Sequence, residues 1–537
     1  MSKFFTKKVD NKIPPLHNTN GLAFTDSEKA NSLANHFESV HCLTKKFGDK
    51  EFNVKIKKSV KEINNITIDL NDIDYVKPKE IIHAIKNTKS KKAPGLDSIQ
   101  NIVLKNLPTK IIVQLNNIFN ACLKISYFPK NWKKANILAF HKPNKDKNYP
   151  QNYRPISLLP TLSKIFEKII LNRLLKFEEI EKILITQQFG FRKNRFTTQQ
   201  LARITNIIST DFNHNRSTAM ILLDIEKAFD TVWHNGLIYK LQQCNFPIYL
   251  IKIIKHYLND SKSSKRKIKA GVPQGSILGP ILFIYYINDI PLTDMTNRTK
   301  LALFADDTAI ISSSWDIDLA VTKANEHFQK IHEHLYRWKI KLNAGKTELI
   351  VFSRKMFDNK VISIEINDVK IIAKTSVKYL GVILDSKLDF KEHLKHARKK
   401  GYIAFHSLYN LLNRCSTLNI SNKLLLYKMI IKPNMLYAAP VWSNAWKTHI
   451  EPLEIVQNKV LRMISKESPR TSNLKIRKKF KIETITKAIH KLTKNFFENQ
   501  LYDIDAIQDL GKINHENTHF NIKYKLPHHI LIPKIKK

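Results

Sequence analysis

The sequence predicts an α+β protein, and three observations carry that prediction. Short apolar runs bounded by polar residues, at 219–223 and on either side of 304–307, suit buried strands. Longer stretches repeat apolar residues at helical spacing, as Ile165, Phe166, Ile169, Ile170 and Leu174 do. The chain has 537 residues, too many for one compact core, so several domains are expected. An apolar fraction of 43% is ordinary for a globular protein and argues against global disorder.

Charge narrows the partners. Ninety Lys and Arg face 46 Asp and Glu, a formal net charge of +44 spread over the whole length. Such a chain seeks a polyanion, nucleic acid first. An anionic membrane surface is the runner-up, but no basic amphipathic helix supports it. The apolar run at 280–287 ends at Asn288-Asp289 and is too short to span a bilayer. Cys42, Cys122, Cys244 and Cys415 lie far apart, without metal-ligand spacing, as in a protein of a reducing compartment. The first residues hold no signal-peptide pattern.

Residues 1–75 read as a lead-in or linker. A helical pattern opens at Asp26 and runs through Phe37, followed by a lysine-rich stretch of weak pattern. At Lys91-Lys92-Ala93-Pro94-Gly95-Leu96-Asp97 a basic turn precedes a helix-like run over 99–107; its lysines suit a phosphate or simply solvent. Ala135 to Phe140 reads as a strand, followed by the basic loop 141–147 and a second strand over 152–159. This hairpin suits a phosphate contact. In Gln188-Phe189-Gly190-Phe191-Arg192 the glycine would let Arg192 approach a ligand backbone; the alternative is a plain turn.

Acidic residues then take over. Ala219-Met220-Ile221-Leu222-Leu223 is a buried-strand pattern ending in Asp224, and α/β folds place ligand contacts at such strand ends. The alternative is a helix N-cap. A basic cluster over 262–269 precedes Pro273-Gln274-Gly275-Ser276, a turn that opens a helix whose N-terminus suits an anion. Phe304-Ala305-Asp306-Asp307 places two carboxylates in a tight hairpin. Adjacent like charges raise each other's pKa, and a hard cation such as Mg²⁺ relieves them. The alternative is an ordinary turn rich in Asp. Gly345-Lys346-Thr347 is not a phosphate-binding loop, because Ile340 stands where that motif needs glycine. Residues 377–385 give a strand and turn, 390–464 are helical, and 471–537 form a basic tail.

In series, Arg154-Pro155-Ile156-Ser157, Asp224 with Phe229, Pro273-Gln274-Gly275-Ser276 and Phe304-Ala305-Asp306-Asp307 resemble the reverse transcriptases of non-LTR retrotransposons, most of all the jockey type. The resemblance runs from Lys91 to Asp385 and more loosely through the helices beyond. It implies a right-hand polymerase: fingers and an antiparallel-sheet palm over 76–385 (core 123–385), a helical thumb over 386–470, and the tail 471–537. It implies an RNA-directed DNA polymerase that extends a DNA primer on an RNA template with dNTPs. Asp224, Asp306 and Asp307, with the Ile225 carbonyl, would hold two Mg²⁺ ions. Lys142, Arg154 and Arg192 would face the triphosphate, Phe229 would gate against a 2′-hydroxyl, and Gln274 and Gly275 would support template and nucleotide. Lys346 would protonate the leaving pyrophosphate, and Tyr379-Leu380-Gly381 would grip the primer end.

The pattern departs at Ser98, where the resemblance predicts glycine. It also leads one to expect an apurinic-type endonuclease and a cysteine–histidine knuckle, neither of which is in this sequence. Nicking of the target is therefore expected from another domain or chain. The family's way of life implies a nuclear protein, also cytoplasmic as a ribonucleoprotein. The alternatives are a catalytically inactive nucleic-acid-binding relic or co-opted copy and, last, a maturase-like role.

Overall fold

The computed structural model describes residues 13–18, 21–42, 48–259, 262–263, 266–293, 298–355, 361–366, 369–468 and 470–499. Along the chain come helices α1 (Asp26–Val40) and α2 (Lys50–Glu62), strands β1 (Lys134–His141) and β2 (Tyr153–Leu158), and helices α3 (Thr161–Glu181) and α4 (Thr197–Asn213). Strand β3 (Ser217–Leu223), helix α5 (Gly279–Ile287) and strands β4 (Thr299–Phe304), β5 (Asp307–Ser314) and β6 (Glu348–Phe352) follow. Then come β7 (Ser363–Ile366), β8 (Val369–Lys374), β9 (Ser376–Tyr379), β10 (Val382–Asp385) and helices α6 (Lys391–Ser407) and α7 (Lys447–Ser465). The chain divides into two compact units. One comprises Met1–Ile185, Ile225–Pro291 and Ile331–Leu342; the other Thr186–Asp224, Leu292–Lys330 and Asn343–Lys537.

In the first unit the expected hairpin is present, with Phe140 opposite Arg154 and His141 opposite Tyr153. Helix α3 buries Ile165, Phe166, Ile169, Ile170 and Leu174, as its spacing predicts. Phe166 stacks on Phe119 at 5.0 Å between centroids and meets Phe128 at 5.3 Å. Aromatic pairs of this kind add to the gain from burial. The described residues before residue 76 include regular helices. Thr25 and Glu28 form a capping box that starts α1, so the entry lies where the sequence places it. The lysine-rich stretch after it is helix α2, whose buried residues are Ile56 and Val60. A stripe that narrow is hard to see among lysines. The helix-like run at 99–107 is shorter than its pattern, Asn101–Lys105.

In the second unit six strands among the described residues form one sheet, in the order β7, β8, β6, β3, β5, β4. Strand β3 lies inside it and all seven of its residues are buried, which accounts for its unbroken apolar run. The sheet is mixed rather than antiparallel throughout: β6 pairs in parallel with β8, with Leu349 opposite Ala373. The β7–β8 hairpin returns β8 along the direction of β6, leaving β7 outside. A single apolar core joins the sheet to helices, from Leu201, Ile204 and Ile208 of α4 to Phe405, Leu453, Val460 and Trp442. Beyond 470, where the sequence suggests only a tail, helices cover Asn473–Phe480 and Ile485–Asn499, and Ile476 and Ile489 join that core. Residues 500–537 and the lysine at 265 lie outside the described residues. No described helix is long and apolar enough to cross a membrane.

Candidate active site

The aspartate hairpin forms as the sequence predicts. Phe304 pairs with Asp307 across a two-residue loop of Ala305 and Asp306. Ala305 takes φ +58°, a left-handed conformation that suits the sharp reversal. On the other side of β5, Leu223 pairs with Thr308. Asp224 is the next residue after Leu223, so register alone brings it beside Asp307. Asp224 caps no helix: the next regular element is a short 3₁₀ turn, Ala228–Asp230, capped by Lys227.

The electrostatics follow from this crowding. Desolvation on the sheet side, then the charges of Asp306 and Asp224, push Asp307 up to about 6. Asp306 is raised by burial and by Asp224, against a hydrogen bond from its own backbone. Lys346 Nζ sits 3.2 Å from Asp224 Oδ2. The loop that carries this lysine is tied to the same strand end, since Asn343 N–H donates to the Asp224 carbonyl at 2.9 Å. An open cleft of about 320 Å³ is lined by Asp224, Asp307, Lys346, Glu348, Lys378 and Tyr379 among others. The buried Tyr379 phenol is held protonated by burial and by the charge of Asp307.

Among the described residues no group of three acidic, histidine or cysteine side chains is already gathered to hold an ion. The aspartates offer a partial, all-oxygen shell with charge to be neutralised. That suits a hard cation such as Mg²⁺, which binds through one or two carboxylates and completes its shell with phosphate oxygens and water.

The remaining candidates divide between the two units. Arg192, in the second, braces its own loop, donating to the Gln188 carbonyl at 3.5 Å. Gly190 beside it packs closely, since a Cβ there would collide with the backbone nitrogen of Ala305. In the first unit, Lys142 Nζ donates to the Gln151 carbonyl at 2.7 Å, and Arg154 is exposed on β2. Gln274 is fixed twice. Its carbonyl accepts from Ser157 N–H at 2.7 Å, and its Nε2 donates to Asp230 Oδ1 at 2.7 Å. Gly275 has φ +106°, and a Cβ there would stand 2.8 Å from the Ser157 carbonyl, so glycine is required. Phe229 is half-buried against Phe283 at 4.9 Å, and Ile225 is buried and bridges to Leu342.

Two features escape a reading of the sequence. The helix that follows Pro273-Gln274-Gly275-Ser276 does not present a vacant N-terminus. A carboxyl oxygen of the fully buried Glu167 accepts from Ile277 N–H at 2.8 Å and Leu278 N–H at 3.3 Å, so the chain's own side chain fills that place. Asp230, six residues beyond Asp224, orients Gln274; its place in the same acidic run is the one signal that could have drawn attention to it.

Residues 140–384 match the family described as reverse transcriptase (RNA-dependent DNA polymerase). The chain is 35% identical over 461 residues to the probable RNA-directed DNA polymerase from transposon BS of Drosophila melanogaster, covering 83% of this chain and 50% of that protein. It is 34% identical to the corresponding protein from transposon X-element of the same species, over 78% and 47% of the two chains. It is 32% identical to the RNA-directed DNA polymerase from mobile element jockey of Drosophila funebris, over 89% and 53%. The chain thus spans about half the length of the relatives it matches.

Proposed function

Residues 140–384 of this chain are a reverse transcriptase domain of the non-LTR retrotransposon kind, and from that premise we propose that it extends a DNA primer 3′-hydroxyl on an RNA template. The observation that carries the proposal is the meeting of Asp224 with Asp306 and Asp307 at the ends of paired strands, where burial first and their mutual charge second raise the pKa of both hairpin carboxylates.

Asp224, Asp306 and Asp307, with the Ile225 carbonyl, would hold two Mg²⁺ ions. When bound, such ions lower the pKa of the attacking hydroxyl and neutralise charge on the reacting phosphates. Lys346, whose Nζ lies 3.2 Å from Asp224 Oδ2, would donate the proton to the leaving pyrophosphate. Arg154 and Arg192 take the triphosphate by fork recognition, and Lys142 by point charge. Phe229 excludes a ribose 2′-hydroxyl by bulk. Gln274 and Gly275, locked to β2, present a rigid surface to template and nucleotide. In the same reading, 76–385 are fingers and palm and 386–470 the thumb. The template is RNA, the primer is nicked chromosomal DNA, and the nick comes from an endonuclease on another domain or chain. The site of action is then the nucleus.

Primer extension tests this directly, with poly(rA), oligo(dT), dTTP and Mg²⁺ beside an Asp306→Ala control. Product from the wild type alone supports a reverse transcriptase. Product from both proteins refutes the assignment of Asp306. No product with tight template binding retained points to a binding protein without catalysis.

A further inference from the structure

Strand β4, which leads into the aspartate hairpin, is an edge of its sheet. The backbone groups of its outer side, at residues 301, 303 and 305, therefore find no strand partner in that sheet. Four of these groups are met from residues 187–203. Arg203 Nη1 donates to the Leu301 carbonyl at 3.1 Å, and Gln200 Nε2 to the Leu303 carbonyl at 3.3 Å. The backbone of 187–189 adds two bonds: Leu303 N–H to the Gln187 carbonyl at 3.1 Å, and Phe189 N–H to the Leu303 carbonyl at 2.9 Å. At the tip, one side-chain atom does the work. Gln188 Oε1 accepts from Ala305 N–H at 3.0 Å and from Gly190 N–H at 2.7 Å.

The tip needs such a restraint. Ala305 holds a left-handed φ without being glycine, a conformation that persists only where its surroundings impose it. Gln188 is 1% exposed, so no water replaces its oxygen freely. Gly190 lets the restraining loop close to contact with the Ala305 backbone. Asp306 and Asp307 follow Ala305 immediately, so a shift of the tip moves both carboxylates.

We propose that Gln188 is the positioning residue of the aspartate hairpin, its single amide oxygen clamping the Ala305 and Gly190 N–H groups so that Asp306 and Asp307 are held ready for a divalent cation. The proposal rests on the reading of that hairpin as the polymerase's metal-holding turn. The acceptor oxygen carries both bonds, so Gln188→Glu keeps them and Gln188→Leu removes them.

The test compares these variants with wild type and Asp306→Ala in three measurements: Mn²⁺ binding by titration calorimetry, template–primer binding by anisotropy, and single-turnover extension. Loss of a group that orients a metal ligand reduces affinity or activity by about 10- to 100-fold. Gln188→Leu should weaken Mn²⁺ binding and slow extension by that order, with template–primer affinity unchanged. Gln188→Glu should restore most of both. If Gln188→Leu does not fold, Gln188→Asn, which withdraws the oxygen by one methylene, is read in its place. Wild-type Mn²⁺ binding in Gln188→Leu overturns the proposal. So does a loss of template–primer affinity in Gln188→Leu as large as its loss of Mn²⁺ affinity, which would mean that the side chain supports the fold in general and not the hairpin. If the wild type binds Mn²⁺ through Asp306 but makes no product, the polymerase reading fails and the Mn²⁺ comparison still decides the role of Gln188. If the wild type shows no Asp306-dependent Mn²⁺ binding, both fall.

Discussion

Lys346 Nζ stands 3.2 Å from Asp224 Oδ2, so a lysine compensates one of the three clustered carboxylates. The lysine side chain is 67% exposed and the aspartate 37%. An ion pair this wet adds at most about 1 kcal/mol to stability. Lys346→Ala should therefore unfold in urea within about 1 kcal/mol of wild type. Its single-turnover extension should fall by about 10²- to 10⁴-fold, the usual worth of a general acid. A loss of stability as large as the loss of rate would mean that the pair is structural instead.

Asp307 has its pKa raised to about 6, first by desolvation and then by Asp306 and Asp224. The native state holds that proton more tightly than the unfolded chain does. Between about pH 4 and 6 the unfolded chain therefore has fewer protons bound, and stability falls as pH rises through that window. At pH 7.5 without metal, Asp307→Asn should be more stable than wild type by about 1 kcal/mol, after allowance for solvent screening at this open carboxylate. Added Mg²⁺ should raise the Tm of the wild type and leave that of Asp307→Asn nearly unchanged. Calorimetric melts with and without Mg²⁺ would check both; an equal Mg²⁺ response in the two proteins would refute the prediction.

The features legible in the sequence were those that local pattern determines. Asp224 and Asp306 stand out because charge interrupts an apolar strand, and α3 because five apolar residues keep helical spacing. What stayed hidden depends on partners far along the chain. Gln188 reaches Ala305 across 117 residues, and Glu167 reaches Ile277 across 110. In its own helix Glu167 stands three residues before Ile170 and seven before Leu174, on the apolar face, but nothing local names its distant partner. Gly190 was visible as a glycine, but its purpose is backbone packing against Ala305, which no local pattern encodes. The mixed sheet was hidden for the same reason, since pairing direction depends on where β7 and β8 return.

Ser98 occupies a position where the resemblance predicts glycine, and its φ is +56°. Its N–H closes a turn to the Gly95 carbonyl at 3.1 Å. A left-handed conformation costs a non-glycine residue roughly 1–2 kcal/mol, while glycine makes the unfolded chain more favourable by somewhat less. Ser98→Gly should thus stabilise the protein slightly, by about 0.5 kcal/mol. Urea midpoints of the two proteins, compared at constant m, would show it. A lower midpoint for the glycine variant would mean that the serine hydroxyl contributes more than the strain costs.

Glu167 gives the clearest pH signature. Burial pushes its carboxyl up to about 7, against the N–H groups of Ile277 and Leu278 and the Ser163 hydroxyl that favour the ionised form. The native state keeps this proton up to about pH 7, while the unfolded chain releases it near 4.5. The contribution of Glu167 to stability is therefore largest below pH 4.5, falls as pH rises to 7, and is level above that. Burial lowers His234 and His393 to about 4, so they act in the opposite sense and reduce stability as pH falls below 6.5. Comparing variants at the same pH cancels these histidine terms. Gln at 167 still offers an oxygen to both N–H groups but has no proton to lose. Between pH 5 and pH 8, wild type should lose more stability than Glu167→Gln, by up to about 3 kcal/mol. Glu167→Ala should instead be less stable at every pH by about 2–4 kcal/mol, because a buried and a part-buried donor just before α5 lose their acceptor. Denaturant titrations of the three proteins at both pH values separate these outcomes. Parallel pH profiles for wild type and Glu167→Gln would show that the carboxyl is ionised throughout, with the helix N-terminus and the Ser163 hydroxyl outweighing burial.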